Sequence, residues 1–180
     1  MDPPRTSLAD GATAHGDPMI PTRAELMAAD DIELLRHCRQ ELTRSSGPGG
    51  QHRNTTDSAV HLILLADPRI RVEAAEERSQ HRNRHVALKR LRLAIALHWR
   101  ETAAPAQTPT PVGPRNDAYP AFVAVVCDAL ERHQHLLAGA AAELGLSSGQ
   151  LVRHLAEHDT LWGWVQKARQ ARGLHPLKHP

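Results

Sequence analysis

Arg44-Ser45-Ser46-Gly47-Pro48-Gly49-Gly50-Gln51-His52-Arg53-Asn54-Thr55-Thr56-Asp57-Ser58-Ala59-Val60 is the stretch from which the rest of the chain can be read. Gly47 to Gly50 combine three glycines with a proline. Glycine loses the most backbone freedom in regular structure, and proline lacks a backbone donor, so neither a helix nor a central strand fits. An exposed loop is expected, with strands on either side. Before it the chain enters a strand at about Gln40 to Ser46. After it Val60, Leu62 and Leu64 alternate along a second strand, Asp67-Pro68 supplies a turn, and Ile70 and Val72 alternate with Arg69, Arg71 and Glu73 along a return strand.

A long helix is expected from about Ser79 to Arg100. Leu88, Leu91, Ile95 and Trp99 form one apolar row on it and Val86, Leu93 and Leu97 a second, broad enough to require packing on the sheet. Arg82, Lys89 and Arg100 fall on another face. A short helix is expected from about Ala24 to Arg39. The division is then a disordered tail over 1–22, an α+β unit over 23–102, an extended Pro-rich linker over 103–117 and a helical region over 118–180.

The net charge of +2 conceals an asymmetry. Residues 1–30 hold two Lys/Arg against five Asp/Glu, whereas residues 31–102 hold thirteen against nine. Between Ser79 and Arg100 there are six basic residues and no acid, which suits a polyanionic partner or a solvated helix face. No apolar run approaches the ~20 residues of a membrane span, and the N-terminus lacks a secretory pattern. Cys38 and Cys127 show no metal or redox spacing, consistent with buried free thiols in a reducing cytoplasm.

The quoted run resembles the catalytic-domain signature of class I peptide chain release factors and of the short ribosome-rescue hydrolases related to them. A second block, Glu77-Arg78-Ser79-Gln80-His81-Arg82-Asn83-Arg84, resembles the same family and falls at the start of the long helix, where the family has it. The resemblance covers roughly residues 31–102. It implies ribosome-dependent hydrolysis of the peptidyl-tRNA ester, with Gln51 as the key residue and Gly49 and Gly50 holding its backbone. The ribosome's large-subunit peptidyl transferase centre would supply the reaction site and peptidyl-tRNA the substrate. A main-chain N–H at the glutamine would act as an oxyanion-type donor, worth ~3 to 4 kcal/mol when preorganised.

Arg44, Arg53, Arg82, Arg84, Lys89 and Arg90 would meet ribosomal RNA phosphates in salt-sensitive contacts. A glutamine methyltransferase acting on Gln51 is a further implied partner. Arg53 departs from the family, which most often has a small aliphatic residue there. The rival readings of the loop are a plain Gly-rich connection or a phosphate cradle, but a Walker-type loop needs Gly-Lys-Ser/Thr where Gln-His-Arg follows.

Release factors read stop codons with a domain placed before the catalytic one. Only about thirty residues precede it here, so stop-codon reading by this chain alone is not expected. Nor does the C-terminus offer the strongly basic tail of the rescue hydrolases. A rescue-type or codon-independent activity is therefore expected, with the means of targeting open.

In the helical region, Ala141-x3-Gly145-x5-Leu151 has helix-turn-helix spacing, with Ser147 or Ser148 as N-cap and Leu151, Val152 and Leu155 facing inward. Gln150 and Arg153 would then face a nucleic acid. A packed helical hairpin fits the spacing equally well. Gln166, Lys167, Arg169 and Arg172 form a modest basic end. His81/His85 and His154/His158 are spaced for paired metal ligation but lack a third ligand, so neither metal nor cofactor is expected.

The fold class is α+β: a small sheet with a long packed helix and an exposed Gly-Gly-Gln loop, then an all-α, helix-turn-helix-like region. The alternative function is a non-catalytic ribosome- or nucleic-acid-binding protein that uses those last helices.

Overall fold

Strand β2 (Ala59–Leu64) is the centre of a three-stranded antiparallel sheet in the order β1-β2-β3, with β1 at Cys38–Thr43 and β3 at Arg71–Ala74. The computed structural model describes residues 21–43, 58–103 and 110–180. The register places Leu42 opposite Val60, Gln40 opposite Leu62 and Cys38 opposite Leu64, so these residues share one face. Val60, Leu62, Leu64, Ile70 and Ala74 are buried there. Helix α3 (Gln80–His98) covers that face with Ala87, Leu88, Leu91 and Ile95. Each large aliphatic side chain buried this way contributes about 1.5 to 3 kcal/mol. The opposite face is polar: Arg39 pairs with Glu41 at 3.1 Å and His61 with Glu73 at 3.6 Å.

Ahead of the sheet, one expected helix is in fact two. Helix α1 (Arg23–Ala28) starts at a capping box, in which Thr22 accepts from the Glu25 N–H and Glu25 accepts from the Thr22 N–H. Ala29 is extended, Asp30 caps the next start by accepting from the Glu33 N–H, and α2 runs over Asp31–Arg36. Two N-caps eight residues apart outweigh the weak apolar period. Strand β1 therefore begins at Cys38 rather than Gln40. Leu26 of α1 and Leu34 of α2 close the end of the sheet–helix core.

The return turn forms as its residues require. The Ile70 N–H donates to the Asp67 carbonyl, and Asp67 accepts from both the Arg69 N–H and its guanidinium. Ser79 caps α3, accepting from the Arg82 N–H.

Beyond α3, residues 114–118 make hydrogen-bonded turns; residues 104–109 of the expected linker lie outside the described residues. Asn116 donates to Gly113 and accepts from the Tyr119 N–H through its carbonyl. Four helices follow: α4 (Tyr119–Arg132), α5 (Leu137–Glu143), α6 (Ser148–Ala156) and α7 (Asp159–Ala171). Their core contains Phe122, Val126, Leu130, Leu151, Leu155 and Leu161, and it also takes in Ala96 and Leu97 of α3. Helix α3 is thus shared: one face lies on the sheet, and its C-terminal end lies on α4.

Arg100 does not join Arg82 and Lys89 on an open face. It lies past the end of α3 and turns into the α4 side. There it pairs at 3.0 Å with Asp128, which is 2 % exposed and also pairs at 2.6 Å with Arg23. A buried carboxylate draws in the nearest guanidinium groups, and that attraction overrides helical spacing.

Candidate functional site

The sheet and α3 together present the two ends of the segment that carries the candidate chemistry. Strand β1 ends at Thr43, paired with Ala59 at the start of β2, so residues 44–57 connect adjacent antiparallel strands at one edge of the ladder. Gly49, Gly50 and Gln51, with Arg44 and Arg53, lie outside the described residues.

The return end is held by Asn83, in the first turn of α3. It is fully buried and uses both ends of its amide. Its Nδ2 donates to the Ser58 carbonyl at 2.6 Å and to the Glu77 carbonyl at 2.8 Å, while its Oδ1 accepts from the Glu77 N–H at 2.9 Å. One side chain therefore ties the chain leaving the loop to the entry of α3. Asn83 stood in the second quoted block, but nothing in its spacing gave it this role. Only the fold brings Ser58, which is 25 residues away in sequence, within reach.

The expected RNA-contacting cations on α3 fare differently. Arg82 is 74 % exposed and reaches Glu77 only at 3.6 Å, and Lys89 is exposed. Arg84 is half-buried, with its Nε enclosed and lacking a hydrogen-bond partner. Arg90 is committed within the fold, donating to the Glu73 carbonyl at 2.5 Å and to Glu76 at 2.6 Å. That guanidinium holds the Glu76 carboxyl below its usual range.

On the helical side, α5 and α6 flank a turn in which Gly145 has φ of +66°, and Ser147 caps α6. Leu151 and Leu155 face inward, whereas Val152 is only partly buried. Gln150 closes the capping box by accepting from the Ser147 N–H, so its side chain serves the helix start; Arg153 is exposed. The expected basic end is mostly spoken for. Gln166 holds the Leu177 backbone in both directions, Arg169 donates to the carbonyls of His135 and His175, and Arg172 pairs with Glu131. Lys167 remains exposed.

The paired histidines are not convergent ligands. His85 bonds Asp31 at 3.4 Å, His154 bonds Glu157 at 3.0 Å, and His158 caps α7 by accepting from the Thr160 N–H. No group of three His, Cys, Asp or Glu side chains suited to a metal occurs among the described residues. Burial pushes the Cys38 thiol up to about 11 and the Cys127 thiol up to about 12, so both stay protonated at neutral pH and are poor nucleophiles.

A family model described as the RF-1 domain matches residues 31–112. The chain is 45 % identical over 77 residues to peptide chain release factor 1 of Roseobacter denitrificans, covering 41 % of this chain and 21 % of that protein. It is 52 % identical over 68 residues to a peptide chain release factor homolog of Escherichia coli, covering 38 % and 31 %. The chain thus spans between a fifth and a third of the length of these relatives. Helices α4 to α7 lie beyond the matched segment. With the second quoted block at the head of α3, and with β1 and β2 flanking Gly49-Gly50-Gln51, residues 31–112 are a class I release-factor-like domain of the RF-1 type.

Proposed function

We propose that this chain hydrolyses the ester of peptidyl-tRNA on the ribosome in a codon-independent or rescue mode. The observation that carries the reading is an intact Gly49-Gly50-Gln51 inside a segment similar to peptide chain release factors. Ester hydrolysis needs water at the carbonyl and a donor for the developing oxyanion. A glycine-flanked backbone N–H meets the second need without a side chain, at a value of ~3 to 4 kcal/mol. In this reading Gln51 excludes larger nucleophiles, and Asn83 fixes one foot of the loop. Arg44, Arg53, Arg82, Arg84 and Lys89 approach ribosomal RNA, with Arg90 bracing β3 against α3. A methyltransferase acting on Gln51 belongs to the same proposal, as does a cytoplasmic location. Among the described residues no helix is long and apolar enough to cross a membrane.

The division into a catalytic unit at 23–102 and an accessory unit at 118–180 is part of this proposal. A second reading, a nucleic-acid-binding protein without catalysis, draws support from the α5–α6 turn geometry. Deleting residues 118–180 would not separate the two readings cleanly, because α4 covers Ala96 and Leu97 of α3. Point substitutions do. Release of labelled peptide is measured on ribosomes whose message ends in the P site, and on ribosomes with a stop codon in the A site, using wild type, Gln51→Ala and Arg153→Glu. Release on truncated message that is lost in Gln51→Ala supports the rescue hydrolase. Ribosome binding without release, weakened by Arg153→Glu, supports the second reading.

A further inference from the structure

His135 is a fully buried titratable side chain that the proposed chemistry does not use. It sits in the turn between α4 and α5, where Gln134 and His135 both have positive φ, 50° and 61°. Such values cost energy in residues with a Cβ, so the packing around the ring must hold this turn in place. The His135 Nε2 faces the Glu131 carboxylate at 3.2 Å, which puts the proton of the neutral ring on Nε2. Its Nδ1 is enclosed and has no hydrogen-bond partner. Trp164 of α7 lies against the ring, with centroids 5.3 Å apart.

The same turn is fastened to the segment 173–180. Arg169 donates to the His135 carbonyl at 2.5 Å and twice to the His175 carbonyl, at 2.9 and 3.0 Å, so one guanidinium spans both. Arg172 pairs at 2.5 Å with Glu131, whose other oxygen faces His135. Gly173, with φ of 70°, reverses the chain. The segment then runs back along α7, meeting Arg169 at His175, Gln166 at Leu177 and Trp162 at His179. Gln166 holds the Leu177 backbone in both directions, at 2.8 and 2.9 Å, and the His179 and Trp162 rings meet edge-on at 5.3 Å.

The charges around His135 decide what a second ring proton does. Glu131 from α4 favours it, Arg172 and Arg169 from α7 oppose it, and Arg100 lies over the same Trp164 ring. Burial outweighs the carboxylate and holds the imidazole below its ordinary 6.5. The added proton goes to Nδ1, which has no acceptor in the closed turn. We propose that protonation of His135 opens the turn between α4 and α5, frees Arg169 from its carbonyl there, and releases segment 173–180 from α7 while the rest of the chain stays folded. The latch is closed above the ring's ordinary 6.5 and opens as pH falls toward the lowered value of the closed form. It lies wholly outside the matched residues 31–112 and stands independently of ester hydrolysis.

The test is amide hydrogen exchange of the full chain, read by mass spectrometry at about pH 7.5 and pH 5.5 and corrected for the intrinsic rate at each pH. An imidazole protonated only in the open turn favours opening by up to about tenfold over that interval. Peptides covering 173–180 and the 133–136 turn should therefore lose protection by about three- to tenfold at the lower pH, while those of β2 and α6 keep theirs. His135→Asn, which accepts the positive φ, should be equally protected at both pH values. His179→Asn should respond as wild type does. Arg169→Ala keeps the imidazole but removes the span, so the turn should still respond to pH and segment 173–180 should not. The proposal is overturned if 173–180 keeps its protection at the lower pH, if β2 loses protection in parallel with it, or if His135→Asn retains the wild-type response.

Discussion

Replacing Asp128 by alanine tests whether the two parts of the chain are joined by chemistry as well as by contact. Asp128 projects from α4 and is 2 % exposed. Its carboxylate meets Arg23 of α1 at 2.6 Å and Arg100, past the end of α3, at 3.0 Å, and it accepts from the Glu101 N–H at 3.2 Å. Arg23 is itself buried, so removing the carboxylate strands a guanidinium that water reaches poorly. Breaking such a pair by deleting one partner costs about 3 to 5 kcal/mol. Arg23 keeps two other acceptors, the Trp99 carbonyl at 3.1 Å and Glu101 at 2.9 Å, which places the expected loss at the lower end, about 3 kcal/mol. Against a total stability of about 5 to 15 kcal/mol this is a large share.

The assay is urea unfolding followed by tryptophan fluorescence, since Trp164 lies 5.7 Å from the Arg100 guanidinium. Wild type should unfold in one transition, because Ala96 and Leu97 of α3 belong to the α4–α7 core. Asp128→Ala should lower the midpoint with little change in slope. Asp128→Asn, which keeps hydrogen bonding but not charge, should lose roughly half as much. A loss below about 1 kcal/mol for Asp128→Ala would refute the claim that this cluster holds α1, α3 and α4 together.

Three further outcomes follow from particular contacts. Asn83→Ala should cost about 2 to 3 kcal/mol by orphaning the Ser58 and Glu77 groups it serves, and the peptide release proposed above should fall further than in a surface variant of equal stability. Gly145→Ala should cost about 1 to 2 kcal/mol in thermal unfolding, because φ of +66° is strained for any residue with a Cβ, although the space around it is open. Stability should also fall on acidification from pH 6.5. Burial holds His135 and His98 below their ordinary 6.5, so the unfolded chain binds protons more tightly; the contribution is whole above 6.5 and is lost as pH falls from there through the lowered value of the folded chain. His135→Asn, which tolerates the φ of 61° there, should flatten that part of the pH profile in urea titrations. A second fall below about 4.5 is expected from Asp31 and Glu143, whose carboxyls arginine partners hold low.

What could be read ahead of the structure was local in origin. The alternation of Val60, Leu62 and Leu64, the Asp67-Pro68 turn, the Ser79 cap and the Gly145–Ser147 turn act over four residues or fewer, so their chemistry is written in adjacent letters. The same holds for the candidate site, whose Gly49-Gly50-Gln51 was legible as a motif although its geometry lies outside the described residues. The single helix expected before β1 was a misreading of signals that were present: Thr22 with Glu25 and Asp30 with Glu33 mark two starts. Capping outweighed a faint apolar period there.

The sequence alone determined the strands on either side of the Gly-rich segment, the long helix and the helical character of the remainder, because each follows from backbone preference and side-chain period. Only the tertiary structure decided which cations stay available. Arg82, Lys89 and Arg90 remain exposed, but Arg90 is held by Glu76 and Arg100 turns inward to Asp128, because those carboxylates come near through folding and not through spacing. It likewise decided that α3 serves two cores and that Asn83 ties Ser58 to Glu77. Each depends on groups far apart in the chain, whose meeting is set by how apolar faces pack together.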